Sequence, residues 1–166
     1  DGNENPFGPS PRALEAIAAE RAYHIYPDPD QTKVREALAS DLDVDAGRIV
    51  CGLGSDDLID LILRAMLSPG DGVINCPPTF GMYPFSTRIA GGRVLDAPRL
   101  ESFALDLDAI EKMAPYAKLI FLASPNNPTG NRASREEIER LLDTGLLVVI
   151  DEAYIEFAGV EHASVQ

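Results

Sequence analysis

Four polar clusters each follow directly on a short apolar run, and their residue types could do chemistry on a flat, phosphorylated ligand. Asp151-Glu152-Ala153-Tyr154 follows Leu146-Leu147-Val148-Val149-Ile150. A carboxylate at the tip of a fully apolar strand is unfavourable unless it meets a cation or several donors. A protonated pyridine nitrogen would meet that need, and the anion would keep such a ring an electron sink. For Asp151 alone, capping of local structure is an equally good reading. Ser124-Pro125-Asn126-Asn127-Pro128-Thr129-Gly130 follows Leu119-Ile120-Phe121-Leu122-Ala123. It reads either as a plain loop or as a rigid polar shelf, and cis peptides before Pro125 or Pro128 would suit it.

The two earlier clusters are also ambiguous taken singly. Pro77-Pro78-Thr79-Phe80-Gly81-Met82-Tyr83 follows Val73-Ile74-Asn75-Cys76. Its rings could stack on a heterocycle or pack a helix onto a sheet, packing being the commoner role. Gly52-Leu53-Gly54-Ser55-Asp56-Asp57 leads into Leu58-Ile59-Asp60-Leu61. Glycines in a strand-to-helix turn let backbone amides approach an anion, which the helix dipole favours. The bland reading is a tight turn with Ser55 as N-cap. A dinucleotide fingerprint is excluded, because Asp57 stands in place of its third glycine and no P-loop lysine follows.

The elements that must position these clusters alternate along the chain. Strand-like runs occupy residues 49–51, 72–75, 93–95, 119–123 and 146–150. Helical patterns lie between them at residues 57–67, 83–90, 107–114 and 135–142. This alternation predicts an α/β domain with a largely parallel sheet covered on both faces. Ligands bind beyond the carboxyl ends of the strands in such sheets, and all four clusters sit there. Upstream, Ser10 and Pro11 open a helix, Tyr26-Pro27-Asp28-Pro29-Asp30 cannot be regular helix, and residues 31–41 read as a second helix with Val34, Leu38 and Leu42 on one face.

Composition narrows the partners. The 166 residues carry a formal charge of −13, which argues against nucleic acid or an anionic membrane. No apolar stretch reaches the length of a membrane span, and no signal peptide is visible. Cys51 and Cys76 each follow an apolar run and read as free thiols in a reducing compartment, so a cytoplasmic protein is expected. His24 and His162 are isolated, and no metal site is expected.

Together the clusters resemble the fold-type I pyridoxal-phosphate aminotransferases, and within them the histidinol-phosphate aminotransferase branch. The likeness is carried by Asn3-Glu4-Asn5-Pro6 with Gly8-Pro9-Ser10-Pro11, Tyr26-Pro27-Asp28, Gly54-Ser55-Asp56, Pro78-Thr79-Phe80-Gly81-Met82-Tyr83, residues 124–130, and Asp151-Glu152-Ala153-Tyr154-Ile155-Glu156-Phe157. It implies a partial three-layer α/β/α large domain over residues 31–166, preceded by a helical arm and interface segment over residues 1–30. It also implies a role for each matching residue. Backbone amides around Ser55 and Asp56 would hold the phosphate of pyridoxal 5'-phosphate. Phe80 would stack on its ring, Asn127 and Tyr154 would bond the phenolic oxygen, and Asp151 would pair with the ring nitrogen. Tyr26 would reach the phosphate in the neighbouring subunit of a homodimer, and Asn5 and Tyr26 would lie near the substrate. The implied reaction takes histidinol phosphate, an amino-alcohol phosphate, and a 2-oxo acid, usually 2-oxoglutarate. A threonine-phosphate decarboxylase or an aromatic aminotransferase of the same fold remains an alternative at this point, as does a non-catalytic cofactor-binding fragment.

One departure outweighs the rest. The family's cofactor-bonding lysine lies about thirty residues beyond the Asp-Glu-Ala-Tyr aspartate, and the anion-binding arginines lie further on. The resemblance therefore covers only the front of the family pattern. With no initiating methionine and no closing element after Ser164-Val165-Gln166, the chain reads as a fragment, inactive by itself and prone to associate. Its three lysines are poor substitutes: Lys33 and Lys112 sit on solvated helical faces, and Lys118 precedes its strand.

Overall fold

The computed structural model describes residues 2–159; Asp1 and residues 160–166, including His162 and the closing Ser164-Val165-Gln166, lie outside the described residues. Four strands form one parallel sheet: β1 (Gly72–Asn75), β2 (Arg93–Asp96), β3 (Leu119–Ala123) and β4 (Leu147–Asp151), in the order β2-β1-β3-β4. Among the described residues six α-helices accompany them: α1 (Pro11–Ala19), α2 (Thr32–Leu42), α3 (Ser55–Met66), α4 (Met82–Ile89), α5 (Leu107–Met113) and α6 (Arg135–Asp143).

The chain steps outward from β1 to β2, then reverses and builds β3 and β4 on the other side of β1. Right-handed crossovers therefore put α4 on one face and α5 and α6 on the other. The core follows suit. Val73, Leu119, Phe121 and Ala123 point to one face and pack with Ile59 and Leu63 of α3 and Tyr83 of α4. Ile74, Ile120 and Leu122 point to the other and pack with Ile110 of α5 and Leu141 of α6. This period-two division of continuous apolar strands is the three-layer α/β/α sandwich expected from the sequence.

Local signals set the helix starts. Ser134 and Glu137 form a reciprocal capping box on α6, the Asp106 side chain caps α5, and Ser10 caps α1 with Pro11 in its first turn. Residues 49–51 correct the sequence reading: they are extended but belong to no strand. They leave the 3-10 turn Ala46–Arg48, and Val50 is 64% exposed. The ladders among the described residues join only β1 to β2, β1 to β3 and β3 to β4. An apolar triplet has strand character, but a strand also needs a hydrogen-bonded neighbour.

Before Ile59 no described residue is buried. α1 and α2 bury no side chain, and Val34 and Leu38 of α2 are exposed. Arg35 anchors α2 locally by donating from Nε and Nη2 to the Ala46 carbonyl, at 3.1 and 2.6 Å. No helix among the described residues is long and apolar enough to cross a membrane.

Candidate active site

The reversal after β2 makes the loops that follow β1 and β3 diverge to opposite faces, which opens a crevice at the carboxyl end of the sheet. A cleft lies at this end. Ser55, Phe80, Asn127, Asp151 and Tyr154 line it, with Ala123, Pro125 and Ala153 as apolar wall. Residues far apart in sequence converge because each ends a strand, lies in the loop that follows one, or opens a helix.

Asp151 is the last residue of β4 and is half-buried. Its Oδ2 accepts from the Tyr83 hydroxyl at 2.7 Å, and its Oδ1 accepts from the Ala153 N–H at 3.1 Å. Tyr83 is fully buried in the first turn of α4. Its ring stacks on Phe121 at 5.0 Å with an interplanar angle of 5°, and meets Phe80 edge-on at 5.5 Å. Burial pushes the Tyr83 phenol far above its ordinary range, and the adjacent Asp151 charge adds to this. The aromatic cluster thus divides its labour: Tyr83 is core and Phe80 lines the cleft.

The two adjacent asparagines are also unlike. Asn126 is 2% exposed and ties the loop after β3 to the loop after β1. Its Nδ2 donates to the Pro78 carbonyl at 3.0 Å and to Thr129 Oγ1 at 2.7 Å, while its Oδ1 accepts from Thr79 Oγ1 at 2.8 Å. Main-chain bonds Asn126 N–H to Asn131 O and Gly130 N–H to Asn126 O close the turn. Asn127 is left facing the cleft. The peptides Pro77-Pro78, Ser124-Pro125 and Asn127-Pro128 are cis. Sequence reasoning took Asn127 and passed over Asn126; the doubled asparagine was the available signal.

Helix α3 begins at Ser55, so Gly54 and not Ser55 is the N-cap, with φ +83° and no side-chain cap. The first-turn amides at Ser55 and Asp56 therefore have no side-chain acceptor capping them, and the helix dipole favours an anion there. Asp57 folds back instead, its Oδ2 accepting from the Leu53 N–H at 3.0 Å. That fold explains Gly52, where a Cβ would come within 2.7 Å of Asp57 Oδ2. Amide donors, an aromatic wall and a strand-end carboxylate thus surround one space, a donor set that fits a phosphorylated heterocycle with a protonated ring nitrogen.

The remaining predicted residues lie apart. Tyr26 is 97% exposed and away from this cleft. Asn5 Oδ1 accepts from the Phe7 N–H at 2.9 Å, bracing its own turn. Asn3 of the same segment reaches the site, donating from Nδ2 to the Tyr154 hydroxyl at 3.0 Å. Lys33 lies on α2 and Lys112 on α5, both exposed. Lys118 is at the amino end of β3, paired with Asp71 at 3.0 Å.

The aminotransferase class I and II family profile matches residues 1–165. The histidinol-phosphate aminotransferase of Roseiflexus castenholzii is 52% identical over 166 residues, covering 96% of this chain and 45% of that protein. The chloroplastic histidinol-phosphate aminotransferase of Nicotiana tabacum is 45% identical over 163 residues, covering 97% of this chain and 40% of that protein. The structure of histidinol-phosphate aminotransferase from Sinorhizobium meliloti in complex with pyridoxal-5'-phosphate is similar with a TM-score of 0.86 and 30% identity, covering 93% of this chain and 44% of that one. The chain spans less than half the length of these relatives.

Proposed function

This chain belongs to the class I and II aminotransferases, and on that premise we propose that it carries most of the pyridoxal-phosphate pocket of a histidinol-phosphate aminotransferase. The observation that carries the reading is the convergence of Phe80, Asn127, Asp151 and Tyr154 in one cleft beside the uncapped start of α3. The named relatives at 52% and 45% identity support the choice of branch.

When bound, pyridoxal 5'-phosphate supplies the electron sink for moving an amino group between histidinol phosphate and a 2-oxo acid such as 2-oxoglutarate. In this reading the chain's residues bind and orient. The Ser55 and Asp56 amides hold the phosphate, and Phe80 stacks on the ring. Asn127 and Tyr154 bond the phenolic oxygen, and Asp151 keeps the ring nitrogen protonated. Tyr26 reaches the site of the neighbouring subunit, and Asn5 with its flanking segment lies near the substrate entrance. Residues 1–30 then form an arm and interface segment, and residues 31–166 part of the cofactor-binding domain. A homodimer is supported by the exposure of Phe7 (93%), Tyr26 (97%) and Leu53 (94%), large apolar groups that call for a cover. A cytoplasmic setting is supported by the acidic charge and the free cysteines.

Titration of the purified chain with pyridoxal phosphate, read by absorbance before and after borohydride and by mass spectrometry, tests the proposal. The expected result is saturable binding with no reduced lysine adduct, since none of Lys33, Lys112 and Lys118 lines the cleft. A single stable adduct on one of these three would overturn the assignment of roles, and absence of binding would overturn the pocket.

A further inference from the structure

We propose that Tyr83 is a positioning residue for the cofactor's ring nitrogen, acting through Asp151; this rests on the cofactor reading above. Two carboxylate oxygens at the end of β4 must present one lone pair to a ligand in a fixed direction, and a free carboxylate rotates. Here each oxygen is fastened, Oδ1 by the Ala153 N–H and Oδ2 by the Tyr83 hydroxyl at 2.7 Å. The Ala153 bond is local to the turn, so it moves with β4. The Tyr83 bond comes from another element, and Tyr83 is itself immobilised by burial, by the stack on Phe121 of β3 and by the edge contact with Phe80. Phe80 lines the cleft. One rigid aromatic cluster therefore fixes both the wall against which a ring lies and the anion that meets its edge.

The bond also steadies the charge: an O–H donor to a carboxylate makes a charge-assisted hydrogen bond, stronger than one between neutral groups. Because burial keeps the phenol neutral, it remains a donor throughout the working range. The charged groups facing Tyr83 besides Asp151 are Asp56 on α3 and Arg99 beyond β2. Arg99 directs Nε to the Cys76 carbonyl and Nη1 to the Phe103 carbonyl.

The test uses pyridoxamine 5'-phosphate, whose binding needs no lysine, with the 166-residue chain and its Tyr83→Phe variant. Phenylalanine keeps the ring stack and removes only the hydroxyl. The affinity of the variant should fall about tenfold, the size of one charged hydrogen bond, and the ¹³C signal of the Asp151 carboxyl in the ligand-free chain at neutral pH should shift, because its Oδ2 loses a donor. Replacing Tyr83 by 3,5-difluorotyrosine, a stronger donor, should shift that signal the opposite way. An unchanged affinity or an unmoved carboxyl signal in Tyr83→Phe would overturn the proposal. If Tyr83→Phe does not fold, the fluorinated chain decides, and an unmoved signal overturns it. If the parent chain binds no pyridoxamine phosphate, the cofactor reading fails separately. The carboxyl signal then decides the role of Tyr83: a shift in Tyr83→Phe sustains the positioning bond, and an unmoved signal refutes it.

Discussion

Replacing Asn126 by alanine should loosen the site end of the sheet while leaving the fold's layers in place. Asn126 makes three side-chain hydrogen bonds, to the Pro78 carbonyl and to the hydroxyls of Thr79 and Thr129, and is 2% exposed. At a net value of about 1 kcal/mol for each buried bond, Asn126→Ala loses about 3 kcal/mol. The Pro78 carbonyl left unpaired keeps the loss from falling below that figure. Urea unfolding at neutral pH, followed by circular dichroism, measures it, and the denaturant slope should be unchanged because the same surface is exposed on unfolding. Asn127→Ala is the matched control. Asn127 faces the cleft, so its loss should cost under about 1 kcal/mol of stability while weakening pyridoxal-phosphate binding. A loss below about 1 kcal/mol for Asn126→Ala, or an equal loss for both variants, would refute the division of roles between the two asparagines.

Three further outcomes follow from the packing. Cys76 is 1% exposed and burial pushes its thiol up to about 12, whereas Cys51 is only half-buried; a thiol reagent on the native chain should modify Cys51 and spare Cys76 until urea unfolds the protein. Gly72→Ala should destabilise by about 1–3 kcal/mol in the same urea assay, because its Cβ would run into the Tyr116 carbonyl oxygen and the Leu95 side chain. Asp71 is held below the ordinary carboxylate range, first by the Ser68 N–H and then by Lys118. Its contribution is therefore present above that range and is lost as pH falls through its depressed value. Asp71→Asn should lower the urea midpoint at neutral pH, and the difference from the parent chain should close in strong acid.

Much of the scaffold was legible because parallel strands announce themselves as continuous apolar runs. The runs that became β1 and β3 match the sequence reading residue for residue, and β4 differs by one position at each end. Residues 49–51 misled because their composition is strand-like while the ladder partner that makes a strand is a property of the whole sheet. Asn127, Asp151 and Tyr154 of the cleft were legible as the polar residues at or just after the ends of apolar runs. What supports them was not. Tyr83 and Asp151 are 68 positions apart and Asn3 and Tyr154 are 151 apart, so no local pattern links them. Tyr83 read as one more ring in a helix, and only its depth and direction distinguish it from Phe80. Asn126 and Asn127 are identical in type and adjacent, and only the turn between Asn126 and Asn131 sends one into the fold and the other into the cleft.

A ¹H–¹⁵N NMR titration of the chain with pyridoxal 5'-phosphate tests whether the cleft at the carboxyl end of the sheet takes that ligand. Saturable shifts are expected at the backbone amides of Ser55, Asp56, Phe80, Asn127, Asp151 and Tyr154, with those of Lys33, Lys112 and Lys118 unmoved. Shifts clustered at the amino end of the sheet around Asp71 and Lys118, or none anywhere, would contradict that reading of the cleft.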